Sequence, residues 1–158
     1  MNFDRPWESP LWIERTQIIL DSYEHWLNEP LYPRQEDPAA EAKMLFFAPG
    51  VVVAHGTEDD PVLNYGNRAA LKLWEVELVR FLQTPSRETA EPVRREERAA
   101  MLERTARDGY IDDYQGVRIA STGKRFHIPK AVVWNLLCDG ERVGQAAAFE
   151  QWTMLESH

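Results

Sequence analysis

One stretch constrains the rest of the chain: Val62-Leu63-Asn64-Tyr65-Gly66-Asn67-Arg68-Ala69-Ala70-Leu71-Lys72-Leu73-Trp74-Glu75. Val62, Leu63 and Tyr65 favour an extended strand, and Gly66 breaks it. Asn67 carries a side-chain oxygen that can accept hydrogen bonds from the free N–H groups of a first helical turn. Ala70, Leu71 and Trp74 then recur at helical spacing, which gives one apolar face to lay on a sheet. A hairpin before this stretch and strands after it supply that sheet.

In chain order, residues 10 to 28 place Leu11, Trp12, Ile18, Ile19, Tyr23, Trp26 and Leu27 on one broad helical stripe that starts at Pro10. Asp37-Pro38 is a cap and first-turn pair for a second helix through Met44, Leu45 and Phe46, which Pro49-Gly50 stops. Residues 1–50 therefore read as an N-terminal helical extension. Val51-Val52-Val53-Ala54 is a β-branched run, followed by a polar turn from Gly56 to Pro61 and the Val62 strand. Short helical turns fit Val76 to Leu82. Val93 to Asp108 has a helical pattern, with Met101, Leu102 and Thr105 on one side and Arg94, Arg95, Glu96, Glu97 and Arg98 solvated. Gly109 ends that helix as a left-handed cap. Three antiparallel strands follow: Tyr110 to Ala120, Arg125 to Leu137 and Val143 to Trp152. The turns are Ser121-Thr122-Gly123-Lys124 and Asp139-Gly140, the second a strong hairpin signal.

A length of 158 residues suits one domain with an appendage. The net charge of −8 argues against non-specific nucleic-acid binding, where lysine and arginine must replace counterions, and disfavours anionic membrane surfaces. Cys138 is the lone cysteine, so an internal disulfide is excluded. No signal-peptide pattern opens the chain and no apolar run reaches the ~20 residues needed to span a bilayer, so the cytoplasm is the expected location.

The order of five strands with helices inserted between the second and third resembles a PAS sensor domain. Asn64-Tyr65-Gly66-Asn67-Arg68-Ala69-Ala70 is similar to the PAS passage that opens the first inserted helix. More narrowly, residues 51 to 153 resemble the MEKHLA domain, a PAS relative. The residues that carry the likeness are His55-Gly56-Thr57, Asn64 to Asn67, Pro85-Ser86-Arg87, Thr89-Ala90-Glu91-Pro92, Gly109 to Tyr114 and Ser121 to Phe126. The six-letter string that names the family is absent. The expected fold is thus α+β: a PAS-like five-stranded antiparallel sheet with inserted helices over residues 51–158, preceded by the helical extension. The resemblance implies signal or ligand sensing, a homodimer formed through the N-terminal helices, and a protein partner for output.

It assigns no cofactor. Arg80-Phe81-Leu82-Gln83 resembles part of the flavin-contacting motif of light-oxygen-voltage domains, where a reactive cysteine directly precedes the arginine. Val79 holds that place here, so no thiol adduct can form, and Phe149 stands where those domains have a glutamine. Haem would need an axial histidine, and residues 93 to 108 contain none. His25, His55, His127 and His158 are too scattered for a metal site.

The candidate ligand site is a cavity between the sheet and the inserted helices. Strict alternation places Asp113 and Gln115 on the face of Ile111, Val117 and Ile119, looking inward, with His127 or Arg125 on the next strand as partner. Tyr110, Asp112, Tyr114 and Arg118 take the other face. The competing reading is a bulge or an ion pair that keeps Asp113 wet. Gln145, Ala147 and Phe149 alternate with Gly144, Ala146 and Ala148, whose small side chains leave room for a ligand or, more commonly, a helix. The polar candidates are Tyr65, Asp113, Gln115, His127 and Gln145, with Phe81 and Phe149 as apolar walls. No catalytic residue is assigned. Two alternatives stand: a small enzyme acting on a small organic acid, with Asp113 and His127 as a base pair, and a dimerisation module with a filled core.

Overall fold

The computed structural model describes residues 1–89 and 95–155. Ala90, Glu91, Pro92, Val93, Arg94 and His158, all named above, lie outside the described residues. Helix α1 spans Pro10–Leu27, with Pro10 at its first position and Asn28 in the left-handed region as its cap. Helix α2 spans Pro38–Phe46, where the Asp37 carboxylate accepts the Ala39 N–H. Strands β1 (Val51–His55) and β2 (Leu63–Gly66) lead into α3 (Arg68–Trp74) and the short α4 (Leu78–Phe81). The long helix α5 (Arg95–Asp108) precedes β3 (Tyr110–Ile119), β4 (Arg125–Cys138) and β5 (Glu141–Phe149). A short β6 (Thr153–Met154), not expected from the sequence, pairs with β4. Its two residues are too few to leave a period-2 signal.

Antiparallel pairing sets the sheet order as β2-β1-β5-β4-β3. The first strand, β1, thereby pairs with β5 at the centre, and β2 lies at the edge beside it. Asp139 and Gly140 both take positive φ (52° and 80°), which a two-residue hairpin of the right twist requires.

The sheet is covered on both faces. On one face α1 and α2 pack Trp12, Ile19, Leu20, Leu45 and Phe46 against Val52, Ala54, Tyr65, Trp134, Ala146 and Ala148. The small residues Ala146 and Ala148 make room for a helix there. Trp12 stacks on Tyr65 at 4.6 Å between ring centres, and Tyr23 meets Trp134 edge-on at 5.0 Å. The Trp134 indole donates to the Ile19 carbonyl at 3.3 Å, and that of Trp26 to the Asn135 carbonyl at 2.9 Å. Trp152 lies on the other face, against Phe149. That face carries α3, α4 and α5, with Trp74, Met101, Phe126, Ile128, Val133 and Phe149 between helices and sheet. Gly66 lets the Phe81 ring lie directly on the β2 backbone, since a Cβ there would collide with it.

Asn67 joins these layers from a fully buried position. Its Oδ1 accepts the N–H groups of Ala70 and Val52, each at 3.1 Å. Its Nδ2 donates to the carbonyls of Gly50 at 2.8 Å and Leu45 at 3.2 Å. One amide thus caps α3, receives the end of α2 and starts β1. A second clamp is Arg34, which bonds Asp21 and Glu24 of α1 and Glu41 of α2 at 3.0, 2.9 and 2.6 Å. Glu41 is buried, and the Arg34 guanidinium pulls its carboxyl down to about 2.

Replacing Asn67 by Ala removes a cap and leaves several buried backbone groups without partners, so unfolding free energy should fall by about 3 kcal/mol or more in denaturant titration. Asn67→Asp should be nearly as damaging, because a carboxylate cannot donate to the Gly50 and Leu45 carbonyls. Glu41→Gln should cost about 2 kcal/mol, less than the ~3–5 of a fully buried pair because Arg34 is partly exposed. The Glu41 contribution should be whole above pH 4.5 and be lost as the pH falls through the folded value of about 2.

Candidate functional site

Between the sheet and helices α3 to α5 lies a cavity of about 60 Å³. Its sheet wall comes from Val53, His55, Tyr114, Arg118, Ile128, Val133, Gln145 and Phe149, and its helical wall from Trp74, Phe81, Arg98, Met101 and Leu102. Ser86 and Thr89, in the turn after α4, close one side. A buried water occupies roughly 10–15 Å³ on this measure, so the space holds a few waters or a very small ligand. It is far below the roughly 300–1,000 Å³ of a drug-sized pocket. A flavin or haem does not fit without repacking, and Val79 is exposed on α4 and does not line the space.

Three β-bulges decide which side chains enter. A bulge puts two residues on one strand opposite one on its neighbour, which moves everything beyond it to the other face. In β2, Leu63 pairs with His55 and Tyr65 with Ala54, so Leu63 lines the cavity while Tyr65 turns under α1. In β3, Ile111 pairs with Val133 but Tyr114 with Ala131, so the extra residue falls at Asp112-Asp113. Beyond it Tyr114 and Arg118 face the cavity. In β4 the extra residue falls around Pro129, between the Ala131–Tyr114 and Ile128–Gly116 pairs, and keeps Ile128 and Phe126 beside the rephased β3.

The cavity is apolar apart from a cluster of buried polar groups. Gln145 is 2% exposed and donates to Asn135 Oδ1 at 3.4 Å. The Nδ1 of His55 bonds the Gly56 carbonyl at 2.9 Å. Burial, reinforced by the nearby charges of Arg98 and Arg142, pushes the His55 pKa down, against a smaller opposing pull from the Gly56 bond and Glu58. Arg98 and Arg118 are each 8% exposed. The Arg118 guanidinium lies 5.1 Å over the Tyr114 ring. Burial lowers the pKa of both arginines, that of Arg98 to about 10, with Arg118 as a further repulsive charge. Burial raises that of the Tyr114 hydroxyl.

Of the residues expected at the site, Phe81, Gln145 and Phe149 line this cavity. Tyr65 is fully buried on the opposite face. Asp113, Gln115 and His127 border a separate shallow surface groove with Arg104 and Glu97. The expectation that Asp113 looks inward is corrected: it is exposed and paired with Arg104 of α5 at 3.3 Å, because the bulge rephases the strand. The solvated reading of Arg98 is corrected too, since it sits one turn before Met101 on the face that meets the sheet. His55, Arg98, Tyr114 and Arg118 were missed as cavity residues. His55, Ser86, Thr89 and Tyr114 fall within the segments that carry the family likeness, a signal the alternation argument did not use.

The unfolded chain takes up a proton at His55 near the ordinary value of 6.5, before the folded chain does. Acid therefore pulls the equilibrium towards unfolding. The contribution of His55 to stability should be whole above pH 6.5 and decline as the pH falls towards the lower folded value. Melting temperatures measured across that window should drop for the native chain and drop less for His55→Gln.

Residues 13–154 match the MEKHLA domain, which takes in both helices ahead of the sheet. None of the curated proteins matches by sequence. Among solved structures the chain is similar to the PAS domain of a protein from Colwellia psychrerythraea, at TM-score 0.60 and 12% identity, over 69% of this chain and 91% of that one. It is also similar to an RNA-binding light-oxygen-voltage receptor, at TM-score 0.61 and 17% identity, over 76% of this chain and 34% of that one. A PAS domain from a two-component sensor histidine kinase aligns at TM-score 0.56 and 14% identity, over 72% of this chain and 91% of that one. At these identities the structural likenesses speak to the fold, and they agree on the PAS arrangement. Matched over most of its length and built on that sheet, the chain belongs to the MEKHLA domain family.

Proposed function

We propose that this chain is a sensing module of PAS type, in which a small molecule enters the cavity between the sheet and α3 to α5 and a partner chain reads the result. The observation that carries the reading is the grouping of His55, Arg98, Arg118 and Gln145 around one small space. Buried polar groups are costly unless hydrogen-bonded, and buried charges are costlier still unless paired. Phe81 and Phe149 would serve as apolar walls for the ligand. Asn135 offers a route outward. It accepts from Gln145 and Arg142 through Oδ1, donates to the Thr105 carbonyl of α5 at 3.0 Å, and holds Trp26 of α1 on its own carbonyl. A ligand that displaced Gln145 would act on both helices through one residue.

The homodimer belongs to the same proposal. Most large apolar groups of α1 are committed to the chain's own sheet, but Leu11 and Phe47 stay exposed on the N-terminal helices. The rival reading, a dimerisation module with a filled core, draws on the small size of the cavity.

Native mass spectrometry of the purified full chain, followed by denaturing extraction, separates these readings. A small molecule of defined mass that leaves on denaturation is the expected result. If no compound is retained and a broad metabolite panel leaves the melting temperature unmoved, the dimerisation module is the better account. Light scattering should report a dimer, and Leu11→Glu with Phe47→Glu should give a monomer with an unchanged fold by circular dichroism.

A further inference from the structure

We infer that the cavity is built to hold a small carboxylate, with Arg98 of α5 and Arg118 of β3 as its two anion-binding groups; this rests on the sensing function proposed above. The two guanidiniums come from different elements and line the same space. No aspartate or glutamate lines it among the described residues. Arg98 Nη2 is buried without a hydrogen-bond partner among those residues. Among the described residues Arg118 reaches the Val117 carbonyl, at 3.4 Å, and the Tyr114 ring and hydroxyl. Two carboxylates that act on them, Glu97 and Asp60, are exposed, and Asp60 is bound to Arg87 at 3.1 Å.

Two like charges around one small buried space form an imbalance that a bound anion corrects. A buried charge left unpaired is among the most destabilising features a core can carry, so its retention points to an occupant. The guanidinium fork matches a carboxylate in two parallel hydrogen bonds. The remaining wall gives the choice between anions. Met101, Ile128 and Phe149 are apolar and ask for a short hydrocarbon body, which inorganic phosphate lacks. Gln145 offers one further polar contact for a hydroxyl or keto group. The volume limits the ligand to about four to six non-hydrogen atoms.

Isothermal titration of the full chain in an anion-poor buffer tests this, with acetate, propionate, lactate, pyruvate and butyrate as ligands and propionamide and inorganic phosphate as controls. At least one acid should bind and raise the melting temperature, while propionamide and phosphate should not at the same concentration. Arg98→Gln and Arg118→Gln should each raise Kd about tenfold or more. Their ligand-free melting temperatures should be unchanged or higher, because each removes a buried charge without a counter-ion. Arg118→Lys should retain part of the affinity. Equal binding of propionamide, tighter binding of phosphate, binding untouched by the arginine variants, or no binding of any acid overturns the inference. If native mass spectrometry finds a neutral compound, the sensing function stands and the carboxylate fails. If nothing binds in either experiment, both fail.

Discussion

The buried amide of Asn67 is the constraint on which the rest of the molecule depends. It stands where the end of α2, the start of β1 and the start of α3 converge, and it satisfies backbone groups from all three. Its main-chain N–H also bonds the Val52 carbonyl at 3.1 Å. Because α2 belongs to one covering layer and α3 to the other, this residue sets how both layers sit on the sheet. The position of α3 in turn fixes Trp74 over Phe126 and Phe149, and Trp74 and Phe149 line the cavity.

The sheet then sorts chemistry between its two faces. The face under α1 is aromatic and tightly filled, with Trp12, Tyr23, Tyr65 and Trp134 in mutual contact or in contact with α1. The face under α5 contains the cavity and the polar cluster. Bulges in β2, β3 and β4 do the sorting locally, each moving the following residues across the sheet. Tyr114 and Arg118 reach the interior this way, and Tyr65 and Asp113 are directed elsewhere.

The arginines show how the same side chain serves two purposes. Arg34 is held by three carboxylates and clamps α1 to α2, an arrangement in which the guanidinium is fully paired. Arg98 and Arg118 are more deeply buried, yet no carboxylate lines their space among the described residues. The first arrangement is a structural device. The second sets two guanidiniums beside a cavity with no carboxylate in its wall among the described residues, the arrangement on which the proposed anion site rests.

The sequence by itself determined what depends on near neighbours in the chain. Asp37 and Asn67 as caps, Gly109 and Asp139-Gly140 as chain-reversing positions, and the helical stripe of Trp12, Ile19 and Tyr23 are local, and the structure has them where the sequence places them. The order of strands and helices along the chain was legible as well, and it carried the family likeness; their order within the sheet was not read from the sequence. Only the tertiary structure decided which face each strand residue takes. A single inserted residue inverts the alternation, and the insertion shows itself only against the partner strand, as Asp112-Asp113 against Val133 and Ala131 demonstrates. Gln145 and Phe149 were legible as cavity residues because β5 keeps its alternation unbroken from Gln145 to Phe149 against β1. Arg98 was not, because a charged residue in a run of charges reads as solvated until the sheet beneath its helix is known.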